Sequence, residues 1–336
     1  MNLFKRAIFF TDIHFGLKSN SRTHNQDCLD FVDFVIEQGR ANNCETCVFL
    51  GDWHHNRASI NISTLNYSIR AFDRLSEAFT QVVFLPGNHD EHYRDTREMN
   101  SVAWLKKYDN IRLYDDITVE DDVCVMPWLV GKEFDQVSKI ECKYMFGHLE
   151  LPSFYMNAMV RMPDVSDLKR EDLKSETVFT GHFHKRQTAK NITYIGNSFP
   201  HNYADAGDDA RGAMVLDWGG EPEYIEWPDA PKYRRFLLSD VLENTDTVLK
   251  PNMYCRVELD VDISYEEANF IKEQFIPEFG LRELSIIPRV GSEEHALSFE
   301  GEVNFESVDS IVTSHLTQLD SPQYDKSLML DIYRNL

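Results

Sequence analysis

The chain has 336 residues, of which 42% are apolar and 27% charged, as is typical of a globular protein with more than one domain. Its net charge of −22 argues against a general nucleic-acid-binding protein, although bound divalent cations or a partner subunit can supply positive charge. Because no apolar run approaches the roughly 20 residues that span a bilayer, we expect no membrane contact.

The first two thirds of the chain alternate short apolar runs with helical patterns, which is typical of a layered α/β or α+β domain. The predicted strands are residues 3–10, 47–50, 82–85, 143–146 and 177–180. Apolar residues at helical spacing predict helices over about 25–40, from Ser63 onward and over 100–108.

The composition changes after Trp227, where residues 228–232 (PDAPK) predict a linker. A capping box of Ser264 and Glu267 then begins a helix, and an apolar run on either side of it completes a small β-α-β unit. A further amphipathic helix is predicted over about 305–319. We expect three parts, a domain over 1–227, a domain over 232–290 and a C-terminal helical segment over 300–336.

The six cysteines show no disulfide-framework spacing, which favours a reducing, cytoplasmic location. Cys44 and Cys47 form a C-x-x-C, but no second pair of ligands completes a zinc site. We therefore interpret them as packing residues.

Polar groups follow the C-terminal ends of the five predicted strands, which is the edge where ligands bind in open α/β sheets. In chain order these groups are Asp12-Ile13-His14, Gly51-Asp52, Gly87-Asn88-His89-Asp90, Gly147-His148 and Gly181-His182-Phe183-His184. Any one of them is typical of an ordinary turn. Five in this order, each behind an apolar strand, favour a single converged site.

The donor atoms of these groups are carboxylate, amide and imidazole, without a thiolate. The candidate ligands are Asp12, His14, Asp52, Asn88, His148, His182 and His184. Mixed oxygen and nitrogen donors suit Mn²⁺, Fe²⁺ or Zn²⁺, and the lack of thiolate argues against structural zinc. Seven ligands exceed the need of one ion and suit two ions, about 3.5–4 Å apart, that share a carboxylate and clamp a phosphoryl group.

The ordered set D-x-H, G-D, G-N-H-D, G-H and G-H-x-H resembles the calcineurin-like metallophosphoesterases, over residues 12–184. The resemblance implies an α+β fold, a four-layer α/β/β/α β-sandwich, here followed by the small βαβ capping domain and the C-terminal helical tail. It also implies a dinuclear metal centre in the first 227 residues.

The resemblance further implies a role for each residue. One metal takes Asp12, His14, Asp52 and His184, and the other takes Asp52 as the bridge, Asn88, His148 and His182. His89 protonates the leaving oxygen or stabilises the pentacovalent phosphorus, and Asp90 orients His89. The ions are expected to be Mn²⁺, with Fe²⁺ as the alternative.

Within this superfamily the chain resembles the DNA double-strand-break nucleases, which include bacterial SbcD and phage recombination endonuclease subunits. Members carry a histidine three residues after the bridging aspartate, here His55. They continue into a capping, DNA-recognition domain and a segment that docks on an SMC-like ABC ATPase of the SbcC kind. This resemblance implies a homodimer with two ATPase subunits, located in the host cytoplasm if the chain is phage-encoded. It also implies 3′→5′ exonuclease action on duplex DNA and endonuclease action on single strands, in recombination and repair.

Alternatives remain open at this point. A phosphomonoesterase or small-nucleotide phosphodiesterase uses the same motifs, and a non-catalytic scaffold of the ATPase complex keeps the same fold. Serine/threonine phosphatases carry arginines that the segment GDWHHNR lacks at the matching positions. Lys185 and Arg186 either contact the DNA backbone or form a solvated pair, and we expect His54 to fill space rather than face the site.

Overall fold

The computed structural model describes residues 2–164 and 166–288, which form three β-sheets with helices packed against them. The predicted C-terminal segment 300–336, including its helix over 305–319, lies outside the described residues.

Fifteen strands build the sheets of the described chain. They are β1 (Arg6–Phe10), β2 (Thr46–Phe49), β3 (Gln81–Phe84), β4 (Ile111–Leu113), β5 (Thr118–Glu120), β6 (Val123–Met126), β7 (Tyr144–His148), β8 (Thr177–Gly181), β9 (Gln187–Ala189), β10 (Ile192–Tyr194), β11 (Gly212–Asp217), β12 (Glu223–Glu226), β13 (Lys232–Leu237), β14 (Met253–Leu259) and β15 (Glu283–Pro288).

The described helices are α1 (Leu17–Asn20), α2 (Arg22–Ala41), α3 (Ile62–Ala78), α4 (Phe134–Val137), α5 (Leu238–Glu243), α6 (Thr245–Val248) and α7 (Tyr265–Glu278). Short 3₁₀ turns cover Ala103–Lys107, Gly131–Glu133, Arg170–Asp172 and Tyr203–Asp205. The helix expected over 100–108 is only the first of these turns. The helix expected from Ser63 begins one residue earlier, because the Asn61 side chain accepts the Ser63 amide at 2.8 Å as its N-cap.

The first two sheets have the orders β12-β11-β1-β2-β3-β4 and β5-β6-β7-β8-β10-β9. Strands β1 to β4 are mutually parallel, as are β6, β7, β8 and β10. Parallel strands end at one edge of their sheet, so the polar groups after β1, β2 and β3 lie at one edge of the first sheet, and those after β7 and β8 lie at one edge of the second.

The two sheets pack face to face through aromatic and branched residues. Phe9 of β1 lies 5.0 Å from Phe146 of β7, measured between ring centroids. The outer face of the first sheet is covered by α2 and α3, with Phe10 and Phe72 in the shared core. The outer face of the second sheet is covered largely by loops and short helices, with Tyr194 in that core. The predicted α+β metallophosphoesterase-type fold class is confirmed.

The third sheet has the order β13-β14-β15, with all strands parallel and its own apolar core. The predicted capping box is confirmed, since Ser264 N donates to the Glu267 carboxylate at 2.7 Å and Glu267 N donates to Ser264 Oγ at 3.2 Å. Strand β13 was not predicted as a strand; it adds the third strand to the expected β-α-β unit. The domain boundaries themselves stay a prediction.

The third sheet contacts the N-terminal part of the chain through two polar groupings. Arg282 donates two hydrogen bonds to the Asp27 carboxylate of α2, at 2.7 and 2.8 Å. The Lys18 ammonium donates to the Tyr233 hydroxyl and lies 3.9 Å from the ring centroid of Tyr254. Lys18 belongs to the segment directly after the first polar group of the sequence, so these contacts connect the third sheet to the candidate site.

All six cysteines are buried and free, including Cys44 and Cys47, which supports the packing interpretation. Of the helices in the described part of the chain, none is long and apolar enough to cross a membrane.

Candidate dinuclear metal centre

The loops after the strands hold the candidate ligands in unusual backbone conformations. Four of them have positive φ angles, which are 51° at Asp12, 53° at His14, 63° at Asp52 and 89° at His182. Such conformations cost of order 1–3 kcal/mol each and persist only where the surroundings fix them. Here the loops brace one another, since Asp12 N donates to Gly51 O at 2.9 Å and His14 N donates to Asp52 O at 3.1 Å.

Two glycines allow the loops to approach this closely. A Cβ at Gly87 would lie 2.2 Å from Asp52 Oδ1, and a Cβ at Gly181 would lie 2.1 Å from Thr11 Oγ1. Neither contact is possible for a larger residue without movement of the loops. The glycines in the G-N-H-D and G-H-x-H motifs therefore serve close packing around the candidate ligands.

The candidate ligands fall into two groups with Asp52 between them. In each group the donor atoms lie within 4.8 Å of one another: Asp12, His14 and His184 form one group, and Asp52, His148 and His182 form the other. Asp52 Oδ2 lies 3.6 Å from His14 Nε2 and 3.4 Å from His148 Nε2. One carboxylate oxygen thus faces both groups.

Asn88 belongs to the second group. Its Oδ1 lies 3.1 Å from His148 Nε2 and 2.9 Å from His182 Nδ1. The other nitrogens of these rings have acceptors: His148 Nδ1 donates to Leu50 O at 2.7 Å, and His182 Nε2 donates to the Glu150 carboxylate at 3.2 Å. The nitrogens that face Asn88 are therefore the ones available to a cation, which would take the lone pair of His182 Nδ1 directly and that of His148 Nε2 once its proton has left.

The clearest sign that the residues fit a metal is His14. Its side chain is buried, and neither Nδ1 nor Nε2 has a hydrogen-bond partner among the described residues. A buried polar atom without a partner costs free energy, whereas coordination of a cation would satisfy Nε2. The donor set and this orphaned imidazole both suit a divalent ion.

The charges of the site are set by burial and by close pairing. Burial raises the pKa of Asp12 to about 7. Burial opposes ionisation of Asp52 as well, but the neighbouring His148 holds the Asp52 pKa well below its usual range. Burial disfavours the charged form of His148, yet Asp52 and Asp12 raise its pKa to about 9. Without a bound cation, Asp52 and His148 therefore form an ion pair.

The other three imidazoles among the candidate ligands are neutral near pH 7. Burial lowers the pKa of His184 to about 4 and places the pKa of His14 well below its usual value. Burial also lowers the pKa of His182. Neutral imidazole is the form that coordinates metals, so no proton has to leave these three rings on binding.

His89 and His55 lie beside these groups. Their rings stack at 5.1 Å with an 18° interplanar angle, and the rings of His89 and His14 are 4.8 Å apart. His89 N donates to Asp52 Oδ1 at 2.8 Å, and His89 Nδ1 lies 2.6 Å from the backbone oxygen of His55. Because a carbonyl only accepts, Nδ1 carries a proton and Nε2 is the nitrogen free to meet a ligand.

Asp90 has a different role from the predicted one. Its buried carboxylate accepts backbone N–H groups at 3.0–3.1 Å and so ties the G-N-H-D loop to the loop after β2; the donors are Gly87, Asp52, Trp53 and His54. The contact that orients His89 is instead the backbone oxygen of His55. The carboxylate next to His89 in sequence thus supports the loop rather than the His89 ring.

The other predicted residues lie as follows. His54 is buried away from the ligands, with its ring nitrogens 2.9 Å from Ser68 Oγ and 2.8 Å from Ser101 Oγ, as expected for a residue that fills space. Lys185 lies 4.8 Å from the ring centroid of Tyr155, and Arg186 lies 4.3 Å from that of Tyr224. Whether either residue contacts DNA stays a prediction.

Comparison with known proteins identifies the family. Residues 5–206 match the calcineurin-like phosphoesterases. The chain belongs to this family. Family members use a dinuclear metal site, in agreement with the two groups of donors in this phosphoesterase.

Two individual proteins are also similar to this phosphoesterase. It is 28% identical over 216 residues to exonuclease subunit 1 of Enterobacteria phage T4, an alignment that covers 61% of this chain and 62% of that protein. The chain thus spans less than two thirds of the length of that relative. Among solved structures, nuclease MPE of Pseudomonas putida is 16% identical with a TM-score of 0.32, over 63% of this chain and 84% of that one.

Three residues that support the candidate ligands through hydrogen bonds were not predicted from the sequence. Glu150 accepts from His182 at 3.2 Å, His201 Nε2 donates to Asp12 O at 2.8 Å, and His24 Nε2 donates to His14 O at 3.0 Å. The two histidines support the backbone at the left-handed positions of the D-x-H motif. Glu150 follows the G-H motif by two residues, which is the one local signal that was available.

Proposed function

We propose that this phosphoesterase is a DNA nuclease that hydrolyses phosphodiester bonds with two divalent ions, Mn²⁺ in preference to Fe²⁺. The observation that carries the proposal is the pair of donor groups on either side of Asp52, whose Oδ2 lies 3.6 and 3.4 Å from histidine nitrogens of the two groups. The name of the phage relative, an exonuclease subunit, supports DNA as the substrate.

In this proposal each ion has four protein ligands. One ion is held by Asp12, His14, Asp52 and His184, and the other by Asp52, Asn88, His148 and His182. When bound, the two ions polarise the phosphoryl oxygens and activate water for in-line attack. The buried, neutral imidazoles of His14 and His184 supply lone pairs without proton loss, His148 gives up its proton on binding, and Asp52 supplies the shared charge.

His89 is the proposed catalytic acid. The backbone oxygen of His55 fixes the proton on Nδ1, so a second proton on Nε2 makes the ring cationic and able to donate to the leaving 3′ oxygen. The ring of His55 stacks on that of His89 and restricts its rotation. His55 acts as a positioning residue, and Asp90 holds the loop that carries His89.

The finer assignments also belong to this proposal. The proposed activities are 3′→5′ exonuclease action on duplex DNA and endonuclease action on single strands. Residues 232–290 are proposed to recognise DNA, and residues 300–336 to dock a homodimer on an SbcC-like SMC-family ABC ATPase. The complex would act in DNA end processing, recombination and repair. The word subunit in the name of the phage relative supports the existence of a partner.

The direct test is cleavage of labelled duplex and single-stranded DNA with Mn²⁺, compared with p-nitrophenyl phosphate and cyclic nucleotides. We expect DNA cleavage that chelation abolishes. His89→Ala should keep its metal content and lose turnover, while His92→Ala, a matched change of a nearby half-buried histidine, should keep both. Hydrolysis of the small esters without DNA cleavage would instead identify a phosphomonoesterase or small-nucleotide phosphodiesterase.

The partner assignment has a separate test. Deletion of residues 300–336 should abolish co-purification with an SbcC-like ATPase and leave metal content unchanged. Retained binding would move the docking surface elsewhere on the chain. A full-length protein that binds the ATPase and metal but cleaves no ester would favour the scaffold alternative.

A further inference from the structure

A cavity of about 310 Å³ opens beside the second group of candidate ligands. Its wall includes His148 and Glu150, and Glu150 is the residue that accepts a hydrogen bond from His182. The cavity therefore adjoins the position where the proposed function places a phosphodiester. Its volume lies at the lower end of the range for small-molecule sites, roughly 300–1,000 Å³.

Trp128 forms the aromatic part of the cavity wall. Its ring centroid lies 5.0 Å from that of His182 and 6.2 Å from that of His148, and the side chain is half-buried. The backbone of Trp128 is fixed on both sides, because its N–H donates to Pro86 O at 3.1 Å and its carbonyl accepts from the Arg97 guanidinium. Trp128 thus presents a fixed aromatic surface next to the ligands.

The rest of the cavity has the character of a site for a flat ligand with a polar edge. Leu149 and Leu168 are buried in the adjacent core, and Phe134 is packed against it. Arg94, an exposed cation, also lines the cavity. The wall also contains the carboxylates of Asp95, Glu150 and Asp167, and together the apolar residues, the aromatic surface and these polar groups match the chemistry of a nucleobase.

We propose that this cavity binds the unpaired nucleobase of a nucleotide next to the scissile phosphate, with the base stacked on Trp128. The proposal rests on the proposed nuclease function, since a phosphodiester at the metal groups is what brings the base to the cavity. A base that is still paired and stacked in a duplex cannot lie against Trp128 within the cavity, so the base must leave its stack first. The phosphoesterase then favours single strands and frayed ends.

The test uses short oligonucleotides with one cleavable phosphodiester, the other linkages being methylphosphonate. Each has either a normal base or an abasic tetrahydrofuran residue on the 5′ or the 3′ side of that bond. Stacking of a base on an aromatic side chain is worth about 1–3 kcal/mol, so removal of the base on one side should lower kcat/KM about 5- to 150-fold.

The variants isolate Trp128. Trp128→Ala should lower kcat/KM much more on the base-containing substrate than on the abasic one, so that the ratio of the two values falls toward one. Trp128→Phe, which keeps an aromatic ring, should restore most of the difference. Equal cleavage of both substrates by the unaltered protein, or an equal loss on both in Trp128→Ala, would overturn the proposal.

A binding measurement separates this inference from the nuclease assignment. 2-Aminopurine deoxyribonucleoside 5′-monophosphate should lose fluorescence on the unaltered protein and keep it on Trp128→Ala. If this quenching occurs in a protein that cleaves no DNA, the base site stands and the nuclease assignment fails. If DNA is cleaved and no quenching occurs, the base site is refuted and the nuclease assignment stands.

Discussion

The two histidines of the G-H-x-H motif are expected to serve different metal ions, so their loss should have different effects. His182 lies with Asp52 and His148, whereas His184 lies with Asp12 and His14. His182→Ala should therefore empty the second position and keep the first, and His184→Ala should do the reverse. Each variant is expected to bind one ion in place of two.

The size of the effect follows from the ligand count. In the proposed centre each ion has four protein ligands, and each variant leaves three. Loss of a residue that only supports a ligand costs about 10- to 100-fold in metal affinity, so loss of a direct ligand should exceed 100-fold, or about 3 kcal/mol. The unaffected position keeps all four ligands, and its affinity should change much less.

The assay is metal content by mass spectrometry after dialysis against a graded series of Mn²⁺ concentrations, with calorimetry for the affinities. The two positions can be told apart by their neighbours. Anomalous scattering from crystals soaked in Mn²⁺ should show the remaining ion beside His148 in His184→Ala, and beside His14 in His182→Ala. His54→Gln, a change of a buried histidine that faces away from the ligands, is the control and should bind two ions.

Two outcomes would refute the reasoning. If both variants lose both ions with equal affinity changes, the ligands form one cooperative site rather than two positions. If both variants keep two ions, neither histidine is a ligand, and the grouping of donor atoms within 4.8 Å has no coordinating role.

Three further results are expected. Glu150→Gln keeps an acceptor for His182 but removes its charge, so affinity at the second position should fall about 10- to 100-fold in calorimetry. Burial raises the pKa of Glu91 to about 7, above its usual 4.5. Urea unfolding of the metal-free protein should therefore show a stabilising contribution below pH 4.5 that is lost as the pH rises to about 7. Glu91→Gln should remove up to about 3 kcal/mol of this pH dependence of the unfolding free energy. Arg282→Ala leaves the largely buried Asp27 without its partner and should cost about 3 kcal/mol of unfolding free energy.

These three results have matched controls. Glu171→Gln changes an exposed carboxylate outside the site and should leave metal affinity unchanged. For Glu91 the quantity compared is the difference in unfolding free energy between the unaltered protein and Glu91→Gln at each pH, because Asp12 and Asp90 titrate in the same range. A difference that is constant with pH would contradict the assignment. Arg74→Ala breaks an exposed pair and should cost less than about 1 kcal/mol, and an equal cost for both arginines would contradict the role given to burial.

The five strands that carry the polar groups could be predicted from sequence because each is a short apolar run that ends in a glycine or a polar residue. The lesser strands could not. Strands β5, β9 and β12 have mixed exposure at the edges of their sheets, and β10 and β11 are buried runs separated by irregular segments. The motifs predicted which side chains the structure brings together at the candidate site, and their role as metal ligands stays a prediction. Their supporting contacts join residues far apart in the chain, such as Asp12 and His201, and leave no local pattern.

Asp90 shows where motif reasoning fails in physical terms. A carboxylate next to a histidine in sequence suggests a pair, but adjacent side chains in a tight loop point in different directions. Asp90 is turned inward, where four backbone N–H donors surround it. His89 is turned toward the site, where the nearest acceptor for Nδ1 is the backbone of His55. The acceptor that His89 Nδ1 meets is supplied by a second loop, so the sequence of the loop that carries His89 and Asp90 does not predict it.

The one-residue gap in the G-H-x-H motif has a structural reason that involves the residue between the histidines. Phe183 is buried, and its ring stacks on that of Tyr194 at 4.8 Å with a 25° interplanar angle. This contact anchors the turn in the outer core of the second sheet. His182 has a φ of 89° and joins the group of Asp52, while His184 N donates to Met156 O at 2.9 Å and its side chain joins the other group. In the proposed centre, a buried Phe183 between the two histidines would thus let one short turn supply a ligand to each of two neighbouring ions.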